Sequence, residues 1–432
     1  MSDLAIVLTT GCGTLIALVL WFILFYKNRA SRLSTRQLLI IILAVGLICR
    51  AAYSILTPTF YAPDEHPHFN YVKYLAETHS LPIRTTQTDE YFQSPLYYLS
   101  LTPFYWLSQS LPLKENLIVR LLRFLTVLLW GVTVFFTFKF LERLHIDDTF
   151  IKLFVVSMVS LLPTYTYLSS VMNNDNLIMA FGSAILYLAV HPKPSLKNSA
   201  LIGVLLGFAL LTKLTAVIFF PLIALLSLIR FVKESDTRSE VARIFLSLIL
   251  PILIFAPWGW RTWNIYGSIS GLDATVPFEW NYSAFFVIWG DLWYILQSFW
   301  AVSGRYNDIP NFFYPIIGKH MLYLALIGLL YGWLCKREKL KLLMGENTNV
   351  IIASAFAVLI NLLLIFVMLY KQGVGRYLFP LLIPISLLMA IGLRIYSVSD
   401  SEDSRIHLTG FFITYALSFT CFTLAMLTKI YR

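Results

Sequence analysis

Residues 349–370 read NVIIASAFAVLINLLLIFVMLY, an apolar run without a charged side chain. A helix needs about 20 predominantly apolar residues to cross the hydrocarbon core of a bilayer, so this run predicts a transmembrane helix. Runs of the same kind recur along all 432 residues of the chain. Their repetition predicts a polytopic membrane protein rather than a protein with one anchor.

The composition of the whole chain supports this prediction. Hydrophobic residues make up 58% of the sequence and charged residues only 13%, whereas soluble domains carry roughly a quarter charged residues. A cytosolic enzyme, a secreted disulfide scaffold and a nucleic-acid-binding protein are therefore excluded. Basic residues in short cytoplasmic loops account for the net charge of +10.

We predict an all-α polytopic membrane fold with about 12 transmembrane helices, interfacial helices in the outer loops, and a single domain over residues 1–432. The first span, 4–26, is expected to be retained because no basic region precedes it. For residues 199–229, two short spans and a broken, re-entrant hairpin both fit the sequence. The predicted spans are 4–26, 37–56, 116–138, 153–171, 177–190, 199–212, 214–229, 245–262, 314–334, 349–370, 379–396 and 408–428.

The distribution of basic residues predicts the orientation of these spans. The basic stretch from Lys27 to Arg36 follows the first span, which places that loop inside and the N-terminus outside. Two long segments, 57–115 and 263–313, then lie outside, and both are rich in aromatic residues and proline. Long connections usually carry function, so we expect these two segments to cap an active site.

The first of these segments contains a pair of carboxylates. Apolar positions recur every three or four residues from Pro67 onward, which predicts a helix along the membrane surface with Phe69 and Val72 facing down. Asp64 and Glu65 then lie at its N-terminus, where the helix dipole favours ionised carboxylates. Asp64 is predicted to be a carboxylate that takes a proton from a hydroxyl or holds a cation. Simple capping of the helix is the alternative for both residues.

Two histidines and a group of tyrosines surround this pair. His66 and His68 lie beside the carboxylates and are candidate metal ligands, although capping and solvent exposure explain such histidines more often. Tyr97 and Tyr98 fit a second interfacial helix, a wall that stacks on sugar rings, or an aromatic belt at the membrane interface.

Further charged residues are expected on the same side of the membrane. Asp175 lies in the turn Asn173–Asn176, whose residue types are ordinary for turns. Lys213 separates two apolar runs, where an ammonium group needs an anion such as a lipid phosphate or must reach the headgroups. Arg261 and Arg376 lie at predicted membrane borders, and the guanidinium fork suits phosphate.

The order of these motifs resembles that of the integral-membrane glycosyltransferases of the GT-C superfamily. The sequence is especially similar to bacterial protein O-mannosyltransferases and aminoarabinose transferases, including branches of unknown function, from about residue 37 to 397. The motifs that carry the resemblance are Pro63-Asp64-Glu65, His68-Phe69, Tyr71, Leu81-Pro82, Ser94-Pro95-Leu96-Tyr97-Tyr98, Asn173-Asn174-Asp175, Leu211-Thr212-Lys213, Arg261, Tyr266-Gly267 and Gly375-Arg376-Tyr377-Leu378-Phe379-Pro380.

The resemblance implies transfer of a sugar from a polyprenyl-phosphate donor to a glycan, lipid or protein acceptor. Transfer would occur on the extracytoplasmic face of the bacterial inner membrane, usually with inversion. By resemblance, Asp64 is the general base or the carboxylate that orients the acceptor, Glu65 supports it, and Asp175 is the second acidic position. The cations expected to neutralise the leaving phosphate are Lys213, Arg261 and Arg376. The residues expected to line the sugar or acceptor are Tyr71, Tyr97 and Tyr98.

One departure from the resemblance leaves the cofactor open. The aminoarabinose and mannose transferases carry a glutamate before the paired aromatic residues, whereas this sequence has Gln93, a poor metal ligand. No cofactor is therefore certain, and a divalent metal (Mg, Mn or Zn) stays an open expectation. A twelve-span secondary transporter and a non-catalytic polyprenyl-lipid-binding protein are the alternative functions.

Overall fold

The computed structural model describes residues 33–84, 89–191, 194–233, 237–271, 282–302, 313–368, 374–396 and 402–430. Within these ranges the chain is helical and has no β-strand. The predicted span 4–26 lies outside the described residues. The α-helices are Thr35–Leu56, Glu65–Thr78, Leu96–Gln109, Glu115–Arg143, Thr149–Leu161, Pro163–Leu168, Asp175–Ala189, Leu196–Leu210, Phe219–Lys233, Thr237–Ile244, Leu250–Tyr266, Tyr282–Trp300, Phe313–Cys335, Arg337–Met344, Thr348–Met368, Leu382–Arg394 and Glu402–Ile430.

Eight helical stretches in the described part of the chain are long and apolar enough to cross a membrane. Three shorter apolar helices, Thr149–Leu161, Asp175–Ala189 and Leu196–Leu210, coincide with further predicted spans. Each of the eleven predicted spans that fall on described residues therefore has a helix. Large apolar side chains such as Leu128 and Leu363 are more than half exposed, as expected for a lipid-facing surface. The protein is an integral membrane protein with an all-α polytopic fold.

The predicted span 153–171 is broken at Pro163. Proline has no N–H group, so the carbonyl of Val159 loses its helical partner. The indole Nε1 of Trp130 donates to that carbonyl at 3.3 Å, and Arg50 Nη1 donates to the Ser160 carbonyl at 2.7 Å. Side chains from two neighbouring helices thus satisfy the broken end inside the bundle, where water could not.

The ambiguous region 199–229 forms two separate helices. Leu196–Leu210 is followed by a turn at 211–213, and a 3-10 segment, Leu214–Ile218, leads directly into Phe219–Lys233. The second stretch, taken from Leu214, is long enough to span the membrane. Leu196–Leu210 is shorter than a full span, so two short spans and a re-entrant hairpin both stay predictions.

The two long connecting segments contain helices of their own. Glu65–Thr78 and Leu96–Gln109 pack against each other within segment 57–115, and Phe69 and Val72 are buried as the apolar periodicity predicts. Segment 263–313 contains the aromatic helix Tyr282–Trp300. This helix packs against the 3-10 segment Gly375–Leu381 and the helix Phe313–Cys335. Segment 57–115 lies at one end of the bundle, called the site end below.

Candidate active site

Four charged side chains from distant parts of the chain meet at the site end. Arg376 Nη2 donates to Asp64 Oδ2 at 2.6 Å, and Lys213 Nζ donates to Asp175 Oδ1 at 2.5 Å. The two pairs are joined because Arg376 Nε lies 4.0 Å from Asp175 Oδ2. We call Asp64, Asp175, Lys213 and Arg376 the charge cluster. It contains two carboxylates and two cations and is formally neutral.

Local backbone geometry places the two acids. Asp64 has a left-handed backbone (φ 58°) directly before the helix Glu65–Thr78, and its side chain makes no cap hydrogen bond. The capping alternative for Asp64 is therefore wrong, and the side chain is free to reach Arg376. Asp175 is the first residue of its helix, and its N–H group donates to Asn173 Oδ1 at 2.8 Å. The positive end of that helix dipole favours the ionised Asp175 carboxylate.

Both cations lie where a span begins irregularly. Lys213 immediately precedes the 3-10 segment Leu214–Ile218, and Arg376 lies in the 3-10 segment Gly375–Leu381. Gly375 N donates to Ser298 Oγ at 2.8 Å, and a Cβ atom on Gly375 would collide with the backbone of Phe299. This close approach requires glycine and fixes the position of the Arg376 backbone.

The charge cluster has hydrogen-bonding capacity left over. Arg376 Nη1 and Nε and Asp175 Oδ2 are buried atoms without a hydrogen-bond partner among the described residues. Buried polar atoms normally have partners, so such atoms mark a place where a ligand or water belongs. The Asp64 side chain is 37% exposed, whereas that of Arg376 is only 10% exposed. The cluster therefore offers an anion two guanidinium donors that have no partner among the described residues.

The ionisation of the site differs between neighbouring groups. Burial alone would raise the pKa of Asp64, but the charges of Arg376 and His68 and the Arg376 hydrogen bond together hold it below its ordinary value. Burial lowers the pKa of His68 to about 4, against the opposing attraction of Asp64. At neutral pH Asp64 is therefore a carboxylate and His68 a neutral imidazole.

Glu65 occupies a different environment from Asp64. Arg123 donates to it through Nε at 2.8 Å and Nη2 at 2.7 Å, and both side chains are fully buried. The N–H groups of Phe60 and Met172 also donate to the Glu65 carboxylate, at 2.9 and 3.3 Å. The Glu65 side chain has no exposed surface for a substrate to contact. It stabilises the fold next to the charge cluster, in place of the predicted support of catalysis.

Arg261 is separate from the charge cluster in the described structure. Its Nη2 donates to the carbonyl of Pro82 at 2.7 Å, and its guanidinium carbon lies 5.0 Å from the Trp258 ring centroid. These contacts tie segment 57–115 to the helix Leu250–Tyr266. Arg261 Nη1 is buried without a partner among the described residues, so the predicted phosphate contact from this side chain stays a prediction.

The three predicted wall tyrosines lie beneath the site. Tyr71 and Tyr98 stack with ring centroids 3.8 Å apart, and His68 Nδ1 lies 2.9 Å from Tyr98 Oη. Tyr71, Tyr97 and Tyr98 have no exposed surface. They form a packed floor under His68 and Asp64 rather than a wall open to a sugar.

The histidines do not gather with the acids into a metal site. His66 is exposed and lies beside Asn70, whereas His68 is buried against Tyr98. Across the ranges the structure describes, no group of three or more His, Cys, Asp or Glu side chains is placed to hold a metal ion. The carboxylates of the charge cluster are already paired with cations, so we assign no step to a metal.

Sequence reasoning missed two residues of this region. Arg123 lies inside the predicted span 116–138, where an unpaired cation is costly, and that cost signals a buried carboxylate partner such as Glu65. Glu90 lies close enough to the charge cluster to interact electrostatically with Asp64, Lys213 and Arg376. Its sequence context, a loop between two aromatic stretches, carries no signal of that position.

The chain matches a known protein by its structure. No family model matches the sequence, and a search of curated proteins finds no match. A crystal structure of ArnT from Cupriavidus metallidurans bound to undecaprenyl phosphate matches with a TM-score of 0.55 and 14% identity, over 90% of this chain and 77% of that one. The chain therefore shares the fold of that ArnT structure. A structure of the same ArnT in the apo state matches with a TM-score of 0.43 and 14% identity, over 87% and 77% of the two chains.

Proposed function

We propose that this GT-C protein is a glycosyltransferase that moves a sugar from a polyprenyl-phosphate donor to an acceptor. The observation that carries the proposal is the charge cluster, in which a partly exposed carboxylate lies beside buried guanidinium donors that lack partners. The ArnT structure of the same fold holds undecaprenyl phosphate, a ligand with the phosphate that such donors suit.

Arg376 and Lys213 are the groups that would receive the donor phosphate. The unpartnered Nη1 and Nε atoms of Arg376 can donate to two phosphate oxygens, as the planar fork allows. Lys213, held by Asp175, adds a second positive charge nearby. Negative charge grows on the phosphate as the sugar departs, and fixed cations in a desolvated site stabilise that charge.

Asp175 acts through these cations. It lies 2.5 Å from Lys213 Nζ and 4.0 Å from Arg376 Nε, so it holds both in one place. Without it, two like charges would lie close together in a mostly buried site, which is unfavourable when no anion is bound. Asp175 is thus a positioning residue, which holds Lys213 and Arg376 in place before the phosphate binds.

Asp64 is the carboxylate at the reacting centre. Its lowered pKa keeps it ionised, and its exposed fraction is the largest among the paired acids of the cluster. It would act as general base or orient the acceptor hydroxyl for attack on the anomeric carbon. Attack opposite the leaving phosphate is a single displacement, and it inverts the configuration of that carbon.

The location and acceptor follow from the same proposal. We place the site end on the extracytoplasmic face of the bacterial inner membrane, as the basic loops predict. Labelling of a cysteine introduced at the exposed position Asp89, with a reagent that cannot cross the membrane, tests this orientation. The acceptor is a glycan, lipid or protein carrying a nucleophilic oxygen.

The alternatives are distinguished by turnover. Transporters place essential charges near the bilayer midplane, whereas the charge cluster lies at one end of the bundle. A non-catalytic protein would bind the lipid phosphate without breaking the bond to the sugar. Release of free polyprenyl phosphate therefore separates transfer from both alternatives.

The test uses the full-length protein in nanodiscs with a panel of polyprenyl-phosphate sugars and a membrane extract as the acceptor source. We expect free polyprenyl phosphate from at least one donor, and a strong loss of release in Lys213→Gln. Lys341→Gln, at an exposed lysine paired with Glu338 far from the site, is the matched control and should release at the wild-type rate. Absence of release from every donor, or equal release by Lys213→Gln, would contradict the proposal.

A further inference from the structure

Glu90 is a carboxyl group outside the charge cluster that interacts electrostatically with three of its members, Asp64, Lys213 and Arg376. Its Oε2 atom is buried and has no hydrogen-bond partner among the described residues. A carboxylate oxygen in that state is costly unless something else occupies the space beside it. Its position next to the proposed donor site makes a substrate group the natural partner.

The turn that carries Glu90 is fixed from several directions. Gln93 N donates to the Glu90 carbonyl at 2.9 Å, and Asn174 Nδ2 donates to Gln93 Oε1 at 3.2 Å. Tyr71 Oη donates to the Gln93 carbonyl at 3.3 Å, and the Tyr91 ring lies 5.3 Å from the Tyr266 ring. These contacts hold the turn that carries Glu90, and a group that handles a proton needs such support.

Charged groups from three distant parts of the chain interact with Glu90. Burial raises the pKa of Glu90, and the negative charge of Asp64 raises it further. Lys213, the Gln93 hydrogen bond and Arg376 lower it, so that the pKa of Glu90 is about 7. The titratable and charged groups that interact with it are Asp64, Lys213, Arg376, Tyr71 and Tyr98.

Asp64 and Glu90 therefore differ in ionisation. Asp64 is paired with Arg376 and has a lowered pKa, which makes it a weak proton acceptor. Glu90 has no cation bonded to it among the described residues and has a raised pKa. Carboxyl groups whose pKa values are pushed apart within one site take different roles in acid–base chemistry.

We propose that Glu90 is the proton acceptor of the transfer step and that Asp64 orients the acceptor hydroxyl. This assignment rests on the proposed glycosyl transfer. The acceptor oxygen forms a bond to the anomeric carbon, and the bond from that carbon to the phosphate oxygen breaks. The electron pair of the broken bond leaves with the polyprenyl phosphate beside Arg376. The proton of the acceptor hydroxyl passes to the Glu90 carboxylate.

The test compares Glu90→Gln with wild type in the polyprenyl phosphate release assay between pH 5 and 9. A base must be unprotonated, so kcat/KM of the wild type should rise with pH through about 7. Glu90→Gln should lower the rate by about 100-fold or more and abolish that rise. Glu90→Asp should recover part of the rate and shift the rise. The matched control is Asp89→Asn, an exposed neighbour, which should behave as wild type.

A structural role for Glu90 is separated by binding. Glu90→Gln should bind undecaprenyl phosphate as wild type does and unfold at the same temperature. Loss of binding or of folding in both Glu90→Gln and Glu90→Asp would overturn the catalytic assignment, as would a pH profile that Glu90→Gln leaves unchanged. These outcomes leave the proposed function standing when the wild type releases polyprenyl phosphate. A wild type that releases none overturns the proposed function itself, and this inference with it.

Discussion

Asp64 and Glu65 are adjacent carboxylates, each paired with an arginine from a distant span, yet their environments are opposite. The Glu65–Arg123 pair is fully buried, and two backbone N–H groups complete its bonding. The Asp64–Arg376 pair is partly exposed, and two donor atoms of Arg376 lack partners. Complete bonding identifies the first pair as part of the framework, and incomplete bonding identifies the second as a site for a ligand.

The contrast follows from how each arginine is placed. Arg123 lies within a continuous helix and reaches three backbone carbonyls near the end of the preceding span, those of Ser54, Thr57 and Pro58. Arg376 lies on an irregular 3-10 segment next to Gly375. Arg123 on the regular helix has its hydrogen bonds completed, whereas Arg376 on the irregular segment keeps two donor atoms without a partner among the described residues.

The largest expected effect is on the closed pair. Glu65→Gln leaves Arg123 as an uncompensated buried charge, so the free energy of unfolding should fall by about 3–5 kcal/mol. Denaturant unfolding of the protein in detergent measures this loss. The double variant Glu65→Gln/Arg123→Gln removes both charges and should recover part of it. A Glu65→Gln protein that is as stable as wild type but inactive would reverse the assignment of the two pairs.

The open pair should respond in binding rather than in stability. Arg376→Lys keeps the charge but loses the fork, and a hydrogen bond to a charged group contributes about 1.5–3 kcal/mol. We therefore expect KM for the donor to rise roughly 10–100-fold, measured by steady-state release of polyprenyl phosphate. The control is Arg394→Lys, which should leave KM unchanged. Arg394 Nε lies 2.7 Å from Asp148 Oδ2 in an ion pair elsewhere in the bundle. An unchanged KM in Arg376→Lys would separate this arginine from the donor.

The smallest effect concerns the two histidines that follow the carboxylates. The pKa of His68 is about 4 in the folded protein and about 6.5 when unfolded, so only the unfolded state gains this proton between those values. Stability from neutral His68 is present above about pH 6.5 and is lost as the pH falls, by about 1–2 kcal/mol at pH 5. His68→Gln should remove this part of the pH dependence of unfolding.

His66→Gln is the control for that experiment because His66 is exposed. It should unfold with the same pH dependence as wild type. Equal pH dependence in His68→Gln and wild type would show that His68 is not held neutral by its burial against Tyr98.

The spans were predictable because their signal is local. An apolar run such as 349–370 must become a helix in a bilayer, whatever it packs against. The break of span 153–171 at Pro163 could not be predicted in the same way. It depends on Trp130 and Arg50, which lie on other helices and donate to the freed carbonyls. Helices in the outer segments were expected, but the bounds of the helix Tyr282–Trp300 were not predicted from the sequence.

The site was predictable in its residues but not in its pairings. Asp64, Asp175, Lys213 and Arg376 were all named as candidates from motifs and membrane borders, and the structure brings these four together. The sequence could not separate Asp64 from Glu65, because the difference depends on where Arg123 and Arg376 lie in three dimensions. The burial of Tyr71, Tyr97 and Tyr98 depends on the packing of two short helices, and so does the position of Glu90.

The most direct measurement is the rate of polyprenyl phosphate release by Asp64→Asn relative to wild type in the same nanodiscs. We expect a fall of about 10²–10⁴-fold in a protein that stays folded, since the closed pair Glu65–Arg123 beside Asp64 is intact. Release by Asp64→Asn at the wild-type rate would show that the charge cluster is not the reacting centre and would contradict the proposed site of transfer.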